Sequence, residues 1–258
     1  MKPGMLTDTH CHLFMKPLCG DIDGVLKRAA AKGISAIIVP AVEIDSWKRV
    51  AELSENPAVY PALGLHPWCA DEKLDTSMLG QLLVETGSVA VGEIGLDFII
   101  DKPDRIIQIS VFRVQLDLAA ELGLPVILHC RGAFDEMLSI LSEKKYKGHI
   151  TGVVHAFTRG VQLAERFLDL GFYLAFGGAV TRSRAKRARR SAATIPLFRI
   201  VLETDAPSIG MDGIEPERME PEHVAEIGEA LALLRGISFK EVAMQTASNV
   251  RELFGIEI

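Results

Sequence analysis

The chain has 258 residues, with 28 Lys+Arg against 34 Asp+Glu, a formal net charge of −6, 48% hydrophobic and 6% aromatic residues. That profile, with 22 glycines and 12 prolines, excludes collagen-like, low-complexity and disordered classes. The acidic total argues against a protein coated in nucleic acid but leaves room for a local basic groove.

The first eight residues lack a basic segment followed by an apolar stretch, and no apolar run approaches the roughly 18 residues of a membrane span. A cytoplasmic, non-membrane protein is therefore expected. Cys11, Cys19, Cys69 and Cys130 form no CxxC pair and read as free thiols of a reducing compartment.

In chain order, short apolar or β-branched runs at 5–8, 34–40, 59–64, 89–94, 125–129, 152–155, 172–176 and 200–203 predict eight strands. Most are continuous rather than alternating, as parallel strands buried on both faces require. Segments with helical spacing separate them, such as Ile107, Val111, Val114, Leu118 and Leu122, or Phe134, Met137, Leu138 and Leu141. A last amphipathic helix is predicted over 240–253, with Val242, Ala243, Thr246, Val250 and Leu253 as its buried stripe. Eight strand–helix repeats without a linker predict one α/β domain over residues 1–258, a single (β/α)8 TIM barrel. An open doubly wound sheet is the second choice.

Four of the seven histidines fall at strand ends: His10 and His12 after the first strand, His129 closing the fifth and His155 closing the sixth. Glu93 near the end of the fourth strand and Asp205 after the eighth join them. In a parallel barrel these ends meet at one mouth. His10 and His12 flank Cys11 on an extended chain, so both imidazoles aim one way and the thiol the other. Imidazoles with carboxylates suit Zn²⁺, Mn²⁺ or Fe²⁺, and six ligands exceed the needs of one tetrahedral ion. Two divalent ions are inferred, with Glu93 as the bridge because its two oxygens can serve both. His149 and His223 lie outside strand ends and are assigned to the surface.

Seven blocks in order now resemble the TatD family of metal-dependent hydrolases, within the amidohydrolase-like barrels. They are Asp8-Thr9-His10-Cys11-His12, Gly64-Leu65-His66-Pro67, Gly92-Glu93-Ile94-Gly95-Leu96-Asp97, the 125–131 run ending His129-Cys130-Arg131, His155-Ala156-Phe157, Glu203-Thr204-Asp205-Ala206-Pro207, and the 246–254 run opening Thr246-Ala247-Ser248-Asn249. The resemblance implies that His10, His12, Glu93 and Asp205 hold one ion and that Glu93, His129 and His155 hold the second. It also implies ester-bond hydrolysis, several members being Mg²⁺-dependent deoxyribonucleases, so the ions expected are Mg, Mn or Zn. Two positions depart from the family pattern: Phe98 stands where Tyr is common, and Met219 follows Arg218 where Asn is common.

The function expected is a phosphodiesterase or deoxyribonuclease in which two ions activate water at the barrel mouth, with Asp205 and Glu93 as the catalytic pair. His66, after the third strand, and Arg131, just beyond His129, are expected to bind substrate; the plainer role for Arg131 is a salt bridge to Asp135. Partners expected are DNA or a small phosphoester, with a monomer favoured. The alternatives are hydrolysis of a small amide or phosphate ester, separated by a substrate panel, and a metal-binding interaction module with vestigial catalysis, which would hydrolyse nothing with any metal. Residues 182–190 carry six positive charges, and without them the chain would stand at −12. Ala185, Ala188, Ala192 and Ile195 form an apolar stripe there, which leaves the cations on the exposed face of a helix.

Overall fold

The structure, a computed structural model, describes residues 6–257. Eight strands form one parallel sheet in sequential order: β1 (Leu6–Asp8), β2 (Ile34–Pro40), β3 (Val59–Leu63), β4 (Ala90–Asp97), β5 (Val126–Arg131), β6 (Gly152–Val154), β7 (Tyr173–Phe176) and β8 (Ile200–Leu202). Met5, predicted to open β1, lies outside the described residues. Nine helices are described: α1 (Ile22–Ala31), α2 (Ile44–Leu53), α3 (Thr76–Glu85), α4 (Arg105–Leu122), α5 (Phe134–Leu141), α6 (Val161–Leu168), α7 (Lys186–Thr194), α8 (Val224–Arg235) and α9 (Phe239–Phe254). Beyond β8 the chain returns to the first strand, with Leu202 O accepting from Thr9 N (3.0 Å), His10 O from Asp205 N (2.8 Å) and Ala206 O from His12 N (2.8 Å). The sheet thus curls into a nearly closed TIM barrel, not the open doubly wound sheet. Among the described residues no helix is long and apolar enough to cross a membrane.

Strand periodicity sorts the side chains into two apolar clusters. Ile37, Val39, Leu63, Val91, Leu128, Val154, Leu174 and Leu202 pack with the helices. Their neighbours Ala36, Ile38, Ala62, Ala90, Ile127, Val153, Ala175 and Val201 fall in a separate cluster, which Val250, Leu253 and Phe254 of α9 join. A period of two then dictates the next residue of the inner set: His129 after Ile127, His155 after Val153, Glu203 after Val201. The barrel interior is filled at one end by α9 and turns polar at the other, where the strands end. Asn249 secures α9 to the sheet, its Nδ2 donating to Leu197 O (2.8 Å) and Ile200 O (2.6 Å) at the start of β8.

Two of the residues at helical spacing in α4 stay at the surface. Ile107 and Val114 are exposed, and the helix buries Gln108, Phe112, Gln115, Leu116 and Ala119 instead. The glutamines face inward because each holds a strand end. Gln108 accepts from Asp97 N and donates to Asp97 O (2.8 and 2.9 Å), and Gln115 accepts from Leu65 N and donates to Leu65 O (2.7 and 3.1 Å). The strand before this helix runs past the predicted end at Ile94 through Gly95, which adopts φ +145°. A Cβ there would lie 2.0 Å from His129 O. Gly95→Ala is therefore expected to cost about 3 kcal/mol or more, since overpacking and backbone strain add. Urea unfolding of the two proteins checks this, and a loss under 1 kcal/mol would show that the strand pair gives way freely.

Candidate metal centre

Seven side chains converge where the inner set turns polar, around the carboxylate of Glu93. Its Oε2 lies 3.2 Å from His10 Nε2 and 3.7 Å from His12 Nε2, and His12 Nε2 lies 3.5 Å from Asp205 Oδ1. Its Oε1 faces the other way, 2.8 Å from His155 Nε2, 2.9 Å from His129 Nδ1 and 3.3 Å from His66 Nε2. The two carboxylate oxygens therefore serve two histidine groups, one from β1 and the loop after β8, the other from β5, β6 and the loop after β3. All six residues expected as metal ligands are brought together, and His66 stands with them. Cys11 is buried and aims at Ala206 O (3.6 Å), away from the cluster, and burial pushes its thiol well above the ordinary range.

Hydrogen bonding separates the imidazoles by tautomer. His12 Nδ1–H donates to Pro40 O (3.1 Å), leaving a lone pair on Nε2 toward Asp205 and Glu93. His129 is held between two carboxylates, Nε2 3.3 Å from Asp97 Oδ2 and Nδ1 2.9 Å from Glu93 Oε1, and against burial these bonds raise its pKa. His66 is the reverse of His12. Its Nδ1 accepts from Trp68 N (3.1 Å), so the proton sits on Nε2 and the ring enters the cluster as a donor. His10 Nδ1 and His155 Nδ1 are buried without a hydrogen-bond partner among the described residues, Asp205 Oδ2 lying 4.0 Å from the latter.

Burial drives His10 well below its ordinary value, takes His12 down to about 4 and also lowers His66, so these rings are neutral at neutral pH. For His155 burial acts in the same direction, but Glu93 prevails and raises it to about 10. Burial likewise opposes ionisation of Glu93, yet the surrounding histidines hold it well below the usual carboxylate range. Desolvation lifts Asp205 to about 7 and Glu203 to about 8. The cluster thus demands positive charge beside Glu93. Donor atoms of His10, His12 and Asp205, of His10, Glu93 and His155, and of His66, Glu93 and His129 each fall within 4.8 Å of one another. Imidazole nitrogens gathered around an ionised carboxylate are the donor set a divalent cation takes. These residues fit a metal.

Several supporting residues escaped the sequence analysis. Asp97 is fully buried and accepts from Trp68 Nε1 (2.8 Å) as well as His129, and these bonds overcome burial to keep its carboxyl low. In a metal centre an outer carboxylate of this kind would orient a histidine ligand. Asp8 accepts from His10 N (3.2 Å), Thr204 N (2.9 Å) and Thr204 Oγ1 (2.5 Å), tying the HxH turn to the loop that carries Asp205. Glu203 Oε1 accepts from Ala156 N (2.5 Å), fixing the backbone after His155 where Ala156 adopts φ 48°. Their signal was a carboxylate at a strand end or in an otherwise apolar run. Arg131 is exposed at the rim with Nη1 3.7 Å from Asp97 Oδ2; Asp135 pairs with Arg166 at 2.7 Å, so the Arg131–Asp135 bridge does not form. His149 is exposed; half-buried His223 caps its own turn by accepting from Glu220 N (3.0 Å). Phe98 stacks against Arg105 (4.8 Å), and Met219 is fully buried in the core in place of a loop hydrogen bond.

Comparison with known proteins agrees with this centre. The family described as TatD related DNase matches residues 7–255. The metal-dependent hydrolase YjjV of Escherichia coli is 40% identical over 254 residues, covering 96% of this chain and 97% of that protein. YabD of Bacillus subtilis, also a metal-dependent hydrolase, is 35% identical and covers 98% and 100%. The crystal structure of YjjV superposes with a TM-score of 0.92 at 38% identity over 98% of this chain and 99% of that one.

Proposed function

The chain belongs to the TatD family of metal-dependent hydrolases, and from that premise we propose that it is a phosphodiesterase, acting as a deoxyribonuclease with two divalent ions. The observation that carries the two-ion assignment is the division of Glu93: Oε2 faces His10 and His12, and Oε1 faces His129 and His155. Asp205 completes the first set. When bound, divalent cations supply Lewis acidity toward a phosphoryl oxygen and lower the pKa of water.

The remaining steps belong to the protein. Asp205, 3.5 Å from His12 Nε2, orients the attacking water and receives its proton. Water oxygen bonds to phosphorus as the bond to the departing ester oxygen breaks. His66 Nε2–H is a fixed donor at the same place, suited to a phosphate oxygen or to the departing oxygen. Its donor tautomer favours substrate contact over metal ligation. Arg131 at the rim offers a guanidinium to a neighbouring phosphate. Free thiols throughout the described residues accord with a cytoplasmic enzyme.

The test is turnover of metal-stripped protein on end-labelled single- and double-stranded DNA, with Mg²⁺, Mn²⁺ or Zn²⁺ restored and small phosphate esters and amides in parallel. Metal-dependent shortening of the DNA is expected. Hydrolysis of the small substrates alone would overturn the nuclease assignment and select the small-ester or amide alternative.

A further inference from the structure

Each imidazole of the cluster has to be aimed, and His155 differs from most of its neighbours in what aims it. The rings of His12, His66 and His129 are held from outside by Pro40 O, Trp68 N and Asp97 Oδ2. His155 Nδ1 is buried with no such partner among the described residues. The ring meets the cluster through Nε2, 2.8 Å from Glu93 Oε1, and stacks on His10 with centroids 4.1 Å apart. A ligating histidine is ordinarily oriented by a hydrogen bond on its other nitrogen. Without one, the backbone that carries the ring sets its place.

That backbone turns sharply. His155 N donates to Leu128 O of β5 (3.1 Å) and Phe157 N to Ala175 O of β7 (3.0 Å). Between them Ala156 is left-handed at φ 48°, a conformation that a non-glycine residue keeps only where its surroundings hold it. Its N–H is taken by a side chain rather than by either strand, Glu203 Oε1 accepting at 2.5 Å. Glu203 comes from two strands away. It follows β8, is buried, and its own N donates to Phe176 O (3.3 Å), so the side chain crosses the end of β7 to reach β6. Gly177, just after β7, opens that path: a Cβ there would stand 3.1 Å from Glu203 O, 3.3 Å from its Cγ and 3.7 Å from its Oε1. The loop of Asp205 is held separately, by the bonds from Thr204 to Asp8 and by Asp205 N donating to His10 O. Loss of the Glu203 contact therefore reaches one half of the cluster and spares the other.

We propose that Glu203 is a positioning residue for the His129–His155 half of the centre: through Ala156 N it sets the place of His155 Nε2, and with it the affinity of the ion held there. It acts as a hydrogen-bond acceptor and not as a ligand. The distinction between the two halves rests on the two-ion reading; the positioning role does not depend on the substrate.

The experiment is a Zn²⁺ titration of metal-free protein, followed through the imidazole proton–nitrogen correlation signals of His12 and His155, which are assigned by their loss in His12→Asn and His155→Asn. Wild type is compared with Glu203→Ala, Glu203→Gln and Gly177→Ala. In Glu203→Ala the His155 signal is expected to need about 10- to 100-fold more Zn²⁺, the usual cost of losing a residue that orients a ligand, and the His12 signal to stay within about threefold of wild type. Any hydrolysis lost in this variant is expected to return as metal is raised. Glu203→Gln keeps an acceptor oxygen for Ala156 N and is expected to stay within about threefold at both histidines. Gly177→Ala crowds Glu203 and leaves its carboxyl in place; it is expected to weaken His155 in the same direction by less, and it carries the comparison should Glu203→Ala not fold. Equal weakening at both histidines would overturn the proposal, as would an unchanged Zn²⁺ requirement in both Glu203→Ala and Gly177→Ala. Glu203→Gln binding as weakly as Glu203→Ala would overturn it too, by making the carboxylate a ligand. If both wild-type signals move together with a single Zn²⁺ per chain, the two-ion reading fails. The positioning role then stands where that ion weakens in Glu203→Ala and recovers in Glu203→Gln, and falls where it does not.

Discussion

Glu93→Gln is expected to lower turnover by at least 10³-fold and, on the two-ion proposal, to reduce the bound divalent metal from two ions per chain to one or none. The substitution keeps the shape of the side chain, and what changes is the charge and one oxygen. In the wild type Oε1 lies within 3.3 Å of three imidazole nitrogens and Oε2 3.2 Å from a fourth. An amide presents N–H protons to one of these groups in place of an oxygen that could face a cation. It also withdraws the charge that holds His155 up near 10. A 10³-fold loss corresponds to about 4 kcal/mol of transition-state stabilisation, in the range of a lost charge-stabilising group in a water-poor site. Metal content by mass spectrometry and kcat on the best substrate decide the matter, with circular dichroism to verify the fold. A variant that keeps both ions and turns over within tenfold of wild type would remove Glu93 from the bridging position.

How far the site was legible follows from where its information lies. His10, His12, His129 and His155 could be placed because each sits at the end of an apolar run, and strand periodicity alone aims alternate residues inward. The structure agrees, continuing Ile127 to His129 and Val153 to His155 on the inner set. The tautomers were not legible. They depend on Pro40 O and Trp68 N, contacts that only the closed barrel assembles, and these distinguish His66 as a donor. Likewise Gln108 and Gln115 appear as polar breaks in an apolar helix until the strand ends they hold are seen. Strand limits from β2 onward moved by at most three residues, most at β4, which runs on through Gly95 to Asp97. The glycine admits the close approach of His129 O that keeps β4 paired with β5 to Asp97.

Asp205→Asn is the second large effect, and the backbone makes it a clean substitution. Asp205 adopts φ 51°, a left-handed conformation that Asn tolerates as well as Asp, whereas Ala would add strain to the chemical change. Its N–H bond to His10 O (2.8 Å) and the bonds its carbonyl accepts from Ser208 N and Ile209 N (2.7 and 3.0 Å) involve only main chain and survive the exchange. Asp8 and Thr204 continue to hold the loop. What is lost is a carboxylate that serves two purposes in the proposed reaction, one toward the His10–His12 group and one as proton acceptor for water. A 10²- to 10⁴-fold fall in kcat is expected, the usual worth of a positioned general base, while the midpoint of thermal unfolding moves by only a few degrees. Separating the two purposes needs the metal content of the same sample. Both ions retained with kcat lost assigns Asp205 to the proton; one ion lost with kcat assigns it first to the metal; both ions retained with near-normal turnover would transfer the role of base to another group at the mouth.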